Sequence, residues 1–117
     1  MQTDRPAENV FSLTELLEKL DGDIETCKSI VSSAMQRFTT YFQDIQKAAS
    51  ANNLKTVIEK AHAIKGAAGN LCFYELYAAS AKLEEIAEQS TSAESCQAAI
   101  EQLNIAWDKL QNTNLWE

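Results

Sequence analysis

From Leu13 to Leu110 the apolar residues of this chain recur at intervals of three and four. The single proline is Pro6, and 117 residues contain only three glycines, Gly22, Gly66 and Gly69. A proline in a helix interior costs about 3 kcal/mol, and a half-buried strand reads as alternation at period two. The stretch holds neither, so its spacing predicts an all-α chain of long, uninterrupted helices.

The pattern divides into five helices. Ser12 with Glu15 three residues on has the spacing of a capping box. It opens a short helix that carries Leu13, Leu16, Leu17 and Leu20 and stops at Asp21-Gly22. Asp23 is an N-cap for a long second helix. Its stripe is Ile24, Cys27, Ile30, Val31, Ala34, Phe38, Tyr41, Phe42 and Ile45, and Ser50-Ala51-Asn52-Asn53 breaks it. The third helix turns Leu54, Val57, Ala61, Ile64, Ala68 and Leu71 inward, with Ile58 widening the stripe on one side. A fourth, from about Phe73 to Gln89, turns Leu76, Ala79, Leu83 and Ile86 inward. Thr91 with Glu94 is another capping-box spacing, ahead of a last helix with Cys96, Ala99, Ile100, Leu103, Ala106, Trp107 and Leu110. Four amphipathic helices joined by short loops pack as an antiparallel up-down four-helix bundle. The short additional N-terminal helix is expected to cover one end. The expected domain is residues 10–117, preceded by a flexible N-terminus over residues 1–9. Trp107 and Trp116 read as core and tail-packing aromatics, and Tyr74 and Tyr77 flank the turn into the fourth helix.

Charge narrows the partners. The net charge is −7 and no basic patch is concentrated anywhere, which argues against nucleic acid or an anionic membrane surface as ligand. No apolar run approaches the roughly 18 residues of a membrane span, and the polar first nine residues do not form a signal peptide. A cytoplasmic location is expected, and Met1 favours a free-standing protein over the tail of a larger one. Cys27, Cys72 and Cys96 are odd in number and show no CxxC spacing. They are expected to be buried, reduced thiols rather than a disulfide frame or a zinc site. No metal site and no cofactor is expected.

His62 is the only histidine. It stands about 100° round its helix from the inward Ala61 and shares a face with Ile58, Glu59, Lys65, Gly66 and Gly69. That face is polar and small, hence outward, with Ile58 at its edge with the core. A solvated imidazole titrates near neutral pH, and its neutral form has a free ring nitrogen able to act as nucleophile. Lys65, one turn on, supplies a cation for an anion placed on the ring. Each glycine weakens a helix interior by about 0.5–1 kcal/mol relative to alanine, and Gly66 and Gly69 read as clearance for a partner. Nucleophile, cation and clearance together suit a phosphoryl group carried on His62 and passed to another protein.

The segment from His62 to Leu71 resembles the signature of the histidine-containing phosphotransfer (HPt) domain family, His-x-x-Lys-Gly-small-small-x-x-Leu. His62, Lys65, Gly66, Ala67, Ala68 and Leu71 meet every position. The resemblance extends over the bundle from Leu20-Asp21-Gly22-Asp23 to about Gln89. It implies that His62 takes a phosphoryl group on Nε2 from the aspartate of a receiver domain and hands it to another receiver. It implies that Lys65 orients and neutralises the phosphoryl oxygens, and that Gly66, flanked on the docking face by Ile58 and Gly69, gives the receiver room. In the family a polar residue 22 positions after the histidine often bonds the other ring nitrogen; here that position is Glu84. The implied partners are response-regulator receiver domains or a hybrid sensor histidine kinase. The implied state is a monomeric phosphocarrier with no ATP site of its own, magnesium being needed only on the receiver. One departure is Cys72, where the family usually has glycine; it touches the turn rather than the phosphoryl site.

On the residues alone, other readings stand beside these. Gly66 also suits a close helix crossing. Glu84 also suits a solvated acidic face with Glu85 and Glu88, a cluster able to tune which receiver docks. A noncatalytic adaptor that binds receivers without carrying phosphate is expected where the histidine or the lysine is missing, and His62 and Lys65 are both present. A metal-binding bundle needs two inward Glu-x-x-His pairs, and Glu59 with His62 is the one pair the chain offers.

Overall fold

The first helix to lie wholly within the described residues, α1 (Leu13–Lys19), is seven residues long and is held at its start by Ser12, whose Oγ accepts from the Glu15 amide at 3.3 Å. The computed structural model describes residues 10–116, so the expectation of a flexible N-terminus over residues 1–9 lies outside the described residues. Four further α-helices follow: α2 (Ile24–Ser50), α3 (Leu54–Asn70), α4 (Tyr74–Glu88) and α5 (Gln97–Gln111). A 3₁₀ turn over Ala93–Cys96 leads into α5. Side-chain caps open α2 and α3, where Asp23 accepts from the Thr26 amide at 3.1 Å and Asn53 from the Thr56 amide at 3.2 Å.

The turns after α2 and α3 are tight, which sets the helices they join antiparallel. After α2, the Asn53 and Asn52 amides donate back to the Ala48 and Ala49 carbonyls at 2.8 and 3.1 Å. After α3, Phe73 and Cys72 donate to Ala68 and Gly69 at 2.9 and 3.4 Å. Both are Schellman closures, which need a left-handed residue just past the helix. Asn52 takes φ 56° and Cys72 takes φ 63°. Asparagine visits that region readily, but a cysteine there is strained by about 1–2 kcal/mol relative to glycine. Cys72 is fully buried, so its side chain packs where a glycine would leave a gap.

A chain of aromatic rings fills the half of the core nearest the α3–α4 turn. Trp116 meets Phe11 at 5.6 Å and Phe11 meets Phe73 at 5.2 Å. Phe38 lies edge-on to both Phe73 and Trp107, and Phe42 stacks on Trp107 at 5.0 Å. This joins α1 and the tail to the α3–α4 turn, and α2 to α5. The short helix covers that end of the bundle as expected: the Ser12 amide donates to the Cys72 carbonyl at 3.1 Å, and Lys19 Nζ to the Asn70 carbonyl at 3.2 Å. Among the described residues, no helix is long and apolar enough to cross a membrane.

Several expectations are corrected. Ile30 is 37% exposed, because the inward line of α2 runs Cys27, Val31, Ala34, Phe38 and leaves Ile30 a step outside it. In α4 the buried line is Leu76, Ser80, Leu83 and Ala87, with Ala79 and Ile86 half-buried. A serine tolerates this burial because Ser80 Oγ donates to the Leu76 carbonyl of its own helix at 2.8 Å. Thr91 and Glu94 form no capping box; α5 opens without a side-chain cap, and the Ala93 amide is bonded by Asn52 Oδ1 at 2.7 Å instead. The box at Ser12 is half made, since the Glu15 carboxylate turns away to accept from the Tyr74 hydroxyl. The three cysteines are buried and free.

Candidate functional site

His62 and Glu84 project from neighbouring antiparallel helices, α3 and α4. His62 Nδ1 and Glu84 Oε2 are 2.8 Å apart, and on the other side of the same carboxylate Lys65 Nζ donates to Oε1 at 2.7 Å. The carboxylate therefore bridges the two residues that the third helix presents one turn apart. The His62 side chain is 67% exposed, Lys65 is 29% exposed and Glu84 is 13% exposed. The anion lies deepest and the imidazole reaches into solvent above it.

The charges decide the tautomer. The ammonium of Lys65 beside it, with a smaller contribution from His62, holds the Glu84 carboxyl below the usual carboxylate range against the opposing effect of burial. Reciprocally, the hydrogen bond to Glu84 raises the Lys65 pKa. Glu84 is thus ionised at neutral pH, and an ionised carboxylate only accepts. The hydrogen between Nδ1 and Oε2 must then belong to Nδ1, which leaves the lone pair of a neutral ring on Nε2. Nε2 makes no hydrogen bond among the described residues and faces outward.

The glycines part company. A Cβ at Gly66 would meet nothing within 4 Å, whereas one at Gly69 would come within 3.2 and 3.3 Å of the Tyr77 ring carbons Cδ1 and Cε1. Gly66 leaves open surface one turn along from His62. The room at Gly69, expected as clearance for a partner, is taken by Tyr77. Ile58 is half-buried against the core edge one turn before His62. Lys65, expected as a cation for an anion on the ring, is tied to Glu84.

The Hpt domain family matches residues 12–113 of the chain. The chain belongs to the Hpt domain family. Hpt domains are phosphocarrier modules of phosphorelays and work with receiver domains and kinases. No curated protein and no solved structure matches the chain. In this Hpt domain the glycine usual after the motif leucine is Cys72, and the backbone keeps the left-handed turn that a glycine would adopt.

The two glycines differ measurably. Gly66→Ala should stabilise the Hpt domain by about 0.5–1 kcal/mol, the ordinary gain of alanine in an exposed helix interior. Gly69→Ala should gain less, because the Tyr77 ring must shift by a few tenths of an ångström. Urea unfolding of the two variants checks this, and equal gains would contradict the Tyr77 contact.

Proposed function

We propose that this Hpt domain is a histidine phosphotransfer intermediate, with His62 taking a phosphoryl group from a receiver-domain aspartate and passing it to another receiver. The observation that carries this is the exposed His62 ring held by Glu84 through Nδ1, with Nε2 outward. In the forward step the Nε2 lone pair attacks phosphorus, the acyl O–P bond of the receiver's phosphoaspartate breaks, and its carboxylate leaves. The proton on Nδ1 stays in place, so the ring becomes cationic as the Nε2–P bond forms, and the Glu84 carboxylate offsets that charge. Lys65 has three N–H donors, and its bond to Glu84 leaves the others for phosphoryl oxygens. Gly66 and Ile58 offer the receiver a low surface beside the ring. Magnesium belongs to the receiver. The domain acts as a monomeric phosphocarrier in the cytoplasm, without ATP chemistry of its own.

The test is transfer of labelled phosphate from acetyl-phosphate-charged receiver domains. The wild-type domain should gain acid-labile, base-stable phosphate, and His62→Gln should gain none. Equal labelling of the variant would end the carrier reading.

A further inference from the structure

Two contacts set one antiparallel register between α3 and α4: His62 lies across from Glu84, and Gly69 across from Tyr77. Each residue up α3 corresponds to one residue down α4, so Lys65 faces Ala81, midway between Tyr77 and Glu84. Ala81 offers only a methyl there, and Lys65 Nζ reaches Glu84 Oε1 at 2.7 Å. On this register Glu84 stands one turn to one side of Ala81. Tyr77 stands one turn to the other side, its ring so near Gly69 that a Cβ there would be 3.2 Å from it.

We propose that Tyr77 is a positioning residue for phosphoryl transfer, acting through Lys65: its ring, seated on Gly69, keeps the ammonium beside Glu84 and His62. The proposal rests on the reading of His62 as phosphoryl acceptor. A lysine stem has several rotatable bonds and resists being held in one conformation. A wall on one side removes the rotamers that swing away from the imidazole. Tyr77 is 43% exposed, and its hydroxyl makes no hydrogen bond among the described residues, so the ring acts by bulk. Tyr77 also lies within electrostatic reach of the Lys65 ammonium. Gly69 then has a defined task, to admit the ring.

The test uses the domain alone with phosphoramidate, a small donor that cannot dock as a receiver does. Nε2 attacks phosphorus, the P–N bond breaks, and ammonia leaves. Tyr77→Ala should slow phosphohistidine formation about tenfold, in line with the cost of misplacing a positioning group. Tyr77→Phe should hold the rate within about twofold. In nitrogen-15 spectra the Lys65 ammonium signal should be resolved in wild type and Tyr77→Phe and lost in Tyr77→Ala. Should Tyr77→Ala not fold, Tyr77→Val carries the same expectation. An unchanged rate or Lys65 signal in Tyr77→Ala overturns the proposal, as does a Phe variant as slow as the Ala variant. A His62→Gln domain that gains acid-labile phosphate would overturn the acceptor reading instead, whereas the Lys65 signal answers for Tyr77 alone.

Discussion

Glu84→Ala should slow phosphotransfer to His62 by about 10–100-fold, the usual cost of removing a partner that orients a reactive imidazole. Three losses coincide in this one substitution. Nδ1 loses its acceptor, at 2.8 Å in the wild type, so both tautomers become populated and Nε2 is protonated in one of them. The cationic ring of the phosphorylated state loses the carboxylate that offsets it. Lys65 loses its anchor at 2.7 Å. Glu84→Gln should fall between wild type and alanine, since an amide oxygen still accepts from Nδ1–H but carries no charge. Stopped-flow transfer from a charged receiver, with receiver concentration varied, places the loss in the maximal rate; a change confined to receiver affinity would contradict this role for Glu84. The same carboxylate carries a pH signature. Its pKa is lowered in the fold, so its contribution to stability is present above the ordinary carboxylate pKa and is lost as pH falls through the lowered value. Glu84→Gln should therefore show a shallower loss of stability on acidification than wild type.

Phe38→Ala should destabilise the fold by about 3–5 kcal/mol, the range for deleting a large buried aromatic. Phe38 is wholly buried and touches Phe73 at 6.2 Å and Trp107 at 5.8 Å between ring centres. Its removal leaves a cavity where α2, the α4 start and α5 meet, and rigid helices cannot close it. Against a total stability of roughly 5–15 kcal/mol for a single domain, this is a large part. Ile30→Ala is the control: it lies on the same helix and belongs to the same apolar series, but it is 37% exposed and should cost under about 1 kcal/mol. Urea unfolding of both variants reads the difference directly, and comparable losses would mean that the core line through α2 is misplaced.

Ile30 shows what the sequence can and cannot resolve. Spacing of three and four identifies the helix and its buried half, but neighbouring positions such as Ile30 and Val31 differ by only one residue's rotation. Which of them is covered depends on where the adjoining helices cross. The same limit moved the α4 stripe onto Ser80, a polar residue that pattern reasoning passes over and that its own helix satisfies. Caps were legible where a side chain has no competitor, as at Asp23; Asn53 also caps a helix but read only as part of the break after α2. They were not legible at Glu15, which is drawn away by Tyr74, or at Thr91, where Asn52 from a distant turn takes the amide. At the site, His62, Lys65 and Gly66 form a local pattern on one helix and could be read directly. Glu84 was reached through a family resemblance, because 22 residues and a turn separate it from His62. The coupling of Lys65 to Glu84, and the seating of Tyr77 on Gly69, belong to the packing of α3 on α4. Only the two helices together display them.

Under the proposed function Glu84 holds Nδ1–H, and Nε2 of His62 is the atom that carries phosphate. Heteronuclear phosphorus and nitrogen NMR of the phosphorylated domain tests it most directly. The expected result is a single phosphohistidine, coupled through Nε2 of His62, with the Nδ1 proton still present and lost from slow exchange in Glu84→Ala. Phosphate on Nδ1, or on any residue other than His62, would contradict it.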